Sequence, residues 1–135
     1  MCAGFKKEDG KEISYIGSRF ERIVPGMFVQ GGKIKGDGPL SIFPQGEFAD
    51  ESFKVKHTEP GLLGMCQRNG YKNTNECQFY VTTCAPLTFM DYKNVIFGRV
   101  IQGMRTFKMI EKIECQNEVP LCDIAIKAAG IYKGE

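Results

Sequence analysis

The chain is predicted to fold as a mainly β domain with one late helix, and three observations carry the prediction. Glycine and proline punctuate it at short intervals: Pro25-Gly26, Gly31-Gly32, Gly36-Asp37-Gly38-Pro39, Pro44, Pro60-Gly61 and Asn69-Gly70. Such residues mark turns. Between them lie short runs rich in β-branched and aromatic residues, which suit a half-buried pleated surface. Only residues 103–113 carry a run of apolar side chains at helical spacing. Many short strands joined by frequent turns predict a sandwich or a barrel. With 135 residues the chain has the length of one domain, spanning 1–135.

The strands are read in order as Phe28-Val29-Gln30, Leu62-Leu63-Gly64-Met65, Gln78-Phe79-Tyr80-Val81-Thr82 and Val95-Ile96-Phe97-Gly98-Arg99-Val100. The alternating segment Asp123-Ile124-Ala125-Ile126-Lys127 reads as a last strand. In the helix, Met104, Phe107, Ile110 and Ile113 share one face, while Lys108, Glu111 and Lys112 lie away from it. That pattern describes a helix packed on a sheet. The glycine-rich stretch from Gly31 to Gly38 lacks the Gly-Lys-Ser/Thr ending of a phosphate-binding loop, so an ordinary loop is expected there.

Composition excludes several function classes. Hydrophobic residues make up 42% and charged residues 25%, against intrinsic disorder. The 18 basic and 16 acidic residues leave a net charge of +2. The signs are interleaved, as over Lys6–Glu12, so no nucleic-acid partner is expected. No run approaches the ~18 apolar residues of a spanning helix, so no membrane partner is expected. No apolar leader run precedes the first strands, and a cytoplasmic location is expected. The six cysteines, at 2, 66, 77, 84, 115 and 122, include no C-x-x-C pair, and His57 is the single histidine. Zinc sites need close Cys or His pairs; no metal and no cofactor are expected, and the thiols should be reduced and mostly buried. His57 is read as structural.

The segment Phe20-Glu21-Arg22-Ile23-Val24-Pro25-Gly26-Met27-Phe28-Val29-Gln30-Gly31-Gly32 resembles the signature of the cyclophilins, the barrel-shaped peptidyl-prolyl cis–trans isomerases. Further blocks follow in the same order. They are Phe48-Ala49-Asp50-Glu51-Ser52-Phe53, His57-Thr58-Glu59-Pro60-Gly61-Leu62-Leu63-Gly64-Met65, Asn73-Thr74-Asn75-Glu76-Cys77-Gln78-Phe79-Tyr80-Val81-Thr82, and Asp91 through Met104. The resemblance implies a cyclophilin-like antiparallel β-barrel, with Arg22 as the catalytic residue. It implies substrate-binding roles for Met27, Phe28, Gln30, Met65, Gln78, Phe79, Tyr80, Phe89, Met90 and Asn94.

The chemistry so implied is physically coherent. Rotation about an X-Pro amide breaks its resonance, against a barrier of ~18–20 kcal/mol. At the twisted transition state the proline nitrogen becomes pyramidal and accepts a hydrogen bond. A guanidinium aimed there stabilises the transition state more than the planar ground state. On this reading Met27, Phe28, Tyr80 and Met90 hold the proline ring, Gln30 holds the arginine and Gln78 binds the substrate backbone. Proline-containing peptides or proteins are the expected partners.

The sequence also departs from the family pattern. Met27 stands where the family has phenylalanine, Phe89 where it has tryptophan and Asn94 where it has histidine. Glu21 precedes the arginine, Glu76-Cys77 replaces Gly-Ser, and the loop from Met65 to Asn73 is about two residues longer than usual. Met1-Cys2-Ala3-Gly4 resembles the end of the family's first helix, so two strands and most of that helix have no counterpart. The expected barrel is therefore incomplete at its N-terminal side, with open edges suited to a partner chain or a large assembly. Two functions follow: a prolyl isomerase, weak in turnover, or a scaffold or binding subunit. Gln116-Asn117-Glu118-Val119-Pro120 is similar to a family branch related to a ciliary radial-spoke protein. For the second reading this similarity makes a ciliary location the expectation.

Overall fold

The computed structural model describes residues 1–6, 10, 12–34, 40–43 and 45–133. Short strands β1 (Phe5–Lys6) and β2 (Glu12–Ile13) form a small ribbon. The main strands are β3 (Arg19–Val24), β4 (Phe28–Lys33), β5 (Leu62–Gln67), β6 (Asn75–Thr82) and β7 (Ile96–Arg99). Helix α1 (Met104–Glu111) follows, then the hairpin of β8 (Cys115–Gln116) and β9 (Val119–Pro120). The five main strands form one antiparallel sheet in the order β3-β4-β6-β5-β7. The expected mainly β fold with one helix is present. The helix is two turns long, entered through Gly103 at φ 92, and Ile113 lies in the turn beyond it.

Side chains alternate between the two faces of a strand, and directly paired residues share a face. One row therefore runs Ile23, Val29, Val81 and Leu63 across four strands. The first three are fully buried and form the centre of the core with Phe20 and Ile110. Half-buried Phe107 brings its ring edge-on to Phe20, with centroids 6.1 Å apart. The helix also pins the β3–β4 turn: the Glu111 carboxylate accepts from the Gly26 N–H (3.1 Å) and from the Thr83 hydroxyl.

The predicted last strand over 123–127 is reduced to one bridge, Arg19 to Ala125. The segment nonetheless hydrogen-bonds along the outer edge of β3, through Phe20 N–H to Ile124 O (2.8 Å), Ile126 N–H to Ser18 O (2.8 Å) and Gly17 N–H to Ile126 O (2.7 Å). Register shifts between Arg19 and Phe20 and between Phe20 and Arg22, in the pairing with β4, make the start of β3 irregular. On the far side, β7 pairs only with β5 among the described residues. The sheet therefore does not close. An apolar hollow of about 480 Å³ lies beside β7, lined by Val95, Phe97, Ile126 and Ala129 together with Met1, Cys2, Tyr15, Phe43, Phe48, Leu63, Met65 and Phe79. Of the loop expected over Gly31–Gly38, Gly31–Lys33 belong to β4 and residues 35–39 lie outside the described residues.

All six cysteines are free. The expectation that most are buried fails: Cys77 is buried, Cys66 and Cys115 are half-buried, and Cys2, Cys84 and Cys122 are exposed. The exposed thiols sit at the chain start and in turns, where no sheet partner covers them. A thiol reagent is expected to modify Cys2, Cys84 and Cys122 quickly in the native protein and all six after denaturation. Cys66 should stay slow, because burial pushes its thiol up to about 12 and leaves almost no thiolate at neutral pH. Rapid native labelling of Cys66 would contradict this.

Candidate active site

A second cross-strand row lies on the opposite face of the sheet. Arg22 of β3 pairs with Gln30 of β4, Gln30 with Tyr80 of β6, and Tyr80 with Gly64 of β5. Above this row opens a groove lined by Arg22, Met27, Phe28, Gln30, Cys66, Gln67, Asn69, Gly70, Lys72, Tyr80, Phe89, Met90, Lys93 and Asn94. Its floor is the buried cluster of Phe28, Tyr80, Leu87 and Met90, with Val24, Met27 and Cys66 packed against it. The Phe28 and Tyr80 rings stand 5.4 Å apart. A short 3-10 turn, Thr88–Met90, turns Met90 inward and leaves Phe89 exposed at the rim. Asn94 is tied to β5 by a hydrogen bond from its Nδ2 to Met65 O (3.2 Å).

Arg22 is half exposed, and its guanidinium carbon lies 5.5 Å from the Phe28 ring centroid. Its Nε and Nη2 both donate to Glu118 Oε1, at 3.2 and 3.1 Å. Gln30, expected to hold the arginine, instead donates from Nε2 to Gln78 Oε1 (3.1 Å), and Gln78 donates to Glu76 Oε1 (3.1 Å). The glutamines therefore form their own chain along the groove wall, and Gln78 stands behind Gln30.

Tyr80 is held from below. His57, 1% exposed, lies between the Tyr80 hydroxyl (Nε2 to Oη, 2.6 Å) and Asp91 (Nδ1 to Oδ1, 2.9 Å). The imidazole stacks near-parallel to the Tyr80 ring at 5.9 Å. Burial raises the Tyr80 hydroxyl well above its ordinary range, so it stays protonated. The His57 backbone N–H, followed by its ring, holds the Asp91 carboxyl below the usual aspartate value of 3.8. A folded-state pKa that is depressed contributes stability above the unfolded value, lost as pH falls through the folded one. Asp91→Asn should therefore be less stable than the parent at neutral pH. The difference in urea midpoint should shrink as pH drops below 3.8. A difference that stays constant across that range would show that the charge does not matter. His57 thus acts as a buried strut under the pocket, as the sequence reading expected of it.

Met65 and Phe79 do not line this groove, although the resemblance assigned them to it. They sit one residue out of phase with Gly64 and Tyr80, so the pleat turns them to the other face, where both line the apolar hollow. In their place the groove receives Cys66, Gln67, Asn69, Gly70, Lys72 and Lys93, which sequence reasoning missed. Alternation counted from Tyr80 across to Gly64 would have found Cys66. Gln67 ends β5 at a register shift, and Asn69, Gly70, Lys72 and Lys93 lie outside the strands, on segments whose path no periodicity encodes.

Comparison with known proteins agrees with this architecture. Residues 2–131 match the family model described as cyclophilin type peptidyl-prolyl cis-trans isomerase/CLD. The chain is 38% identical over 134 residues to peptidyl-prolyl cis-trans isomerase 11 of Caenorhabditis elegans, a match covering 96% of this chain and 71% of that protein. With the groove, its arginine and the antiparallel sheet in place, the chain belongs to the cyclophilin-type peptidyl-prolyl cis-trans isomerase family.

Proposed function

We propose that this chain is a peptidyl-prolyl cis–trans isomerase acting on X-Pro bonds of proteins, with the Arg22 groove as its active site. The observation that carries this reading is the placement of one guanidinium at the edge of a buried apolar floor made by Phe28, Tyr80 and Met90. The floor takes the pyrrolidine ring by burial of apolar surface. The half-exposed Arg22 is then beside the prolyl nitrogen as the amide twists and that nitrogen becomes able to accept a hydrogen bond. The donor interacts more strongly with the pyramidal nitrogen than with the planar one, and that difference lowers the barrier. Gln30 lines the groove and offers its side-chain amide to the substrate backbone, with Gln78 holding it from behind. No covalent intermediate is required.

Turnover is expected to be weak. Met27 and Met90 are flexible side chains, and they define the ring's position less sharply than aromatic residues. Small misplacements of the substrate are costly to rate. Exchange NMR on a proline-containing tetrapeptide tests the reading: cis and trans signals should exchange faster with the protein than without it. An exchange rate unchanged at saturating peptide would remove it.

A second reading, a binding or scaffold subunit, is favoured by the apolar hollow beside β7, whose outer edge pairs with no strand among the described residues, so that an added strand or a partner chain has both apolar surface and a strand edge to use. A cytoplasmic protein fits both readings. The Gln116–Pro120 similarity supports a ciliary assembly for the second. A chain that binds the peptide without accelerating its exchange would favour this alternative.

A further inference from the structure

Arg22 is anchored from 96 residues away in the sequence, by a glutamate to which the family resemblance assigns no role in the site. Glu118 sits at the tip of the β8–β9 hairpin, the second of two consecutive residues with positive φ: Asn117 at 51° and Glu118 at 69°. Two-residue hairpin turns of this kind favour Asn followed by Gly, because glycine alone adopts the left-handed region without steric cost. A glutamate there is disfavoured by local conformation. The position is fixed all the same, because the Ile23 N–H donates to Glu118 O at 2.8 Å and ties the turn to β3. Strained positions that persist point to a role for the side chain that occupies them.

The contact itself shows what that role is. Both bonds, Nε and Nη2, end on the same carboxylate oxygen and occupy one edge of the planar guanidinium. One face of the plane rests near Phe28. One edge and one face of the group are thereby engaged, and the Nη1 edge is left unengaged by Glu118. Gln30, which would otherwise serve, is committed to Gln78. We propose that Glu118 is a positioning residue for Arg22, holding the guanidinium by its Nε–Nη2 edge so that the opposite edge serves the groove. The proposal rests on the reading of Arg22 as the residue that acts on the prolyl bond.

Three variants separate this from a structural role. Glu118→Gly installs the residue that the turn prefers, so the hairpin is retained or strengthened while the holder is lost. Glu118→Gln keeps an acceptor oxygen at the same reach. Glu118→Ala removes the side chain without relieving the turn. The first readout is the Nε–H signal of Arg22 in ¹⁵N-labelled protein, assigned by its absence from Arg22→Ala. In the parent that proton should exchange slowly with solvent. It should exchange at the rate of a free arginine in the Gly and Ala variants and be slowed again in the Gln variant. The second readout is exchange NMR on the tetrapeptide. At saturating peptide the catalysed rate should fall on the order of tenfold in the Gly variant and recover in the Gln variant, with peptide affinity little changed.

Unaltered Nε–H exchange in Glu118→Gly overturns the proposal. So does an unchanged catalysed rate in a variant whose Nε–H has been freed. A parent that does not catalyse exchange at all removes the proposed activity instead, and the Nε–H signal then still decides whether Glu118 holds Arg22.

Discussion

Replacing Arg22 with alanine should reduce catalysed prolyl exchange by roughly 10²–10³-fold, the usual cost of losing one donor aimed at the charge that develops in a transition state. The same variant should still bind a proline peptide and should melt close to the parent. Both expectations follow from where Arg22 sits. The apolar floor that takes the ring is made of Phe28, Tyr80, Leu87 and Met90, which alanine at position 22 leaves in place. The Arg22–Glu118 pair is about half exposed on each side, and pairs of that kind contribute at most about 1 kcal/mol. No buried partner is stranded when it is lost. Arg22→Lys is the sharper control. Lysine keeps the charge but not the planar fork that Glu118 grips by one edge, so it should recover little of the rate. Turnover that survives both substitutions would place the chemistry at another residue.

Much of the sheet was legible because it rests on short-range rules. The β4, β5, β6 and β7 segments announce themselves by β-branched and aromatic runs between turn residues; the structure extends the first three by two or three residues at one end and trims the last by one residue at each end. The groove was legible where motif and pleat agree, at Arg22, Gln30 and Tyr80. It was misread at Met65 and Phe79, where residues adjacent in a motif point to opposite faces and only the alternation tells them apart. Glu118 was out of reach for a different reason. Its contact with Arg22 joins a strand near the start of the chain to a hairpin near its end, and no local pattern in either segment encodes that meeting. The lysines at the groove, Lys72 and Lys93, share the problem, since loop path decides where a loop side chain goes. His57 was readable only as structural; that it props up Tyr80 depends on the tyrosine hydroxyl, a partner 23 residues away in the sequence.

Gly64→Ala should be the most damaging single methyl that can be added to this groove. Gly64 faces Tyr80 directly across β5 and β6, and a Cβ built on it would overlap the Tyr80 ring and hydroxyl. The ring cannot move aside cheaply. It is 1% exposed, it packs on Phe28, and its hydroxyl is bonded to the buried His57. Displacing it costs overpacking strain and leaves the imidazole without its partner, together about 3 kcal/mol or more. A domain of this size has only about 5–15 kcal/mol in all, so a large drop in the urea midpoint is expected, with loss of peptide binding. Backbone preference works against this expectation, because alanine in a strand is slightly better than glycine. A double-mutant cycle settles which effect wins. Tyr80→Ala is itself costly, since it opens a cavity beneath the groove. Once the ring is gone, however, Gly64→Ala should cost little or even stabilise. The coupling between the two positions should then be on the order of 2–3 kcal/mol, in the upper range for residues in direct contact. Equal cost of Gly64→Ala with and without the Tyr80 ring would show that the glycine is required by the backbone and not by the tyrosine it faces.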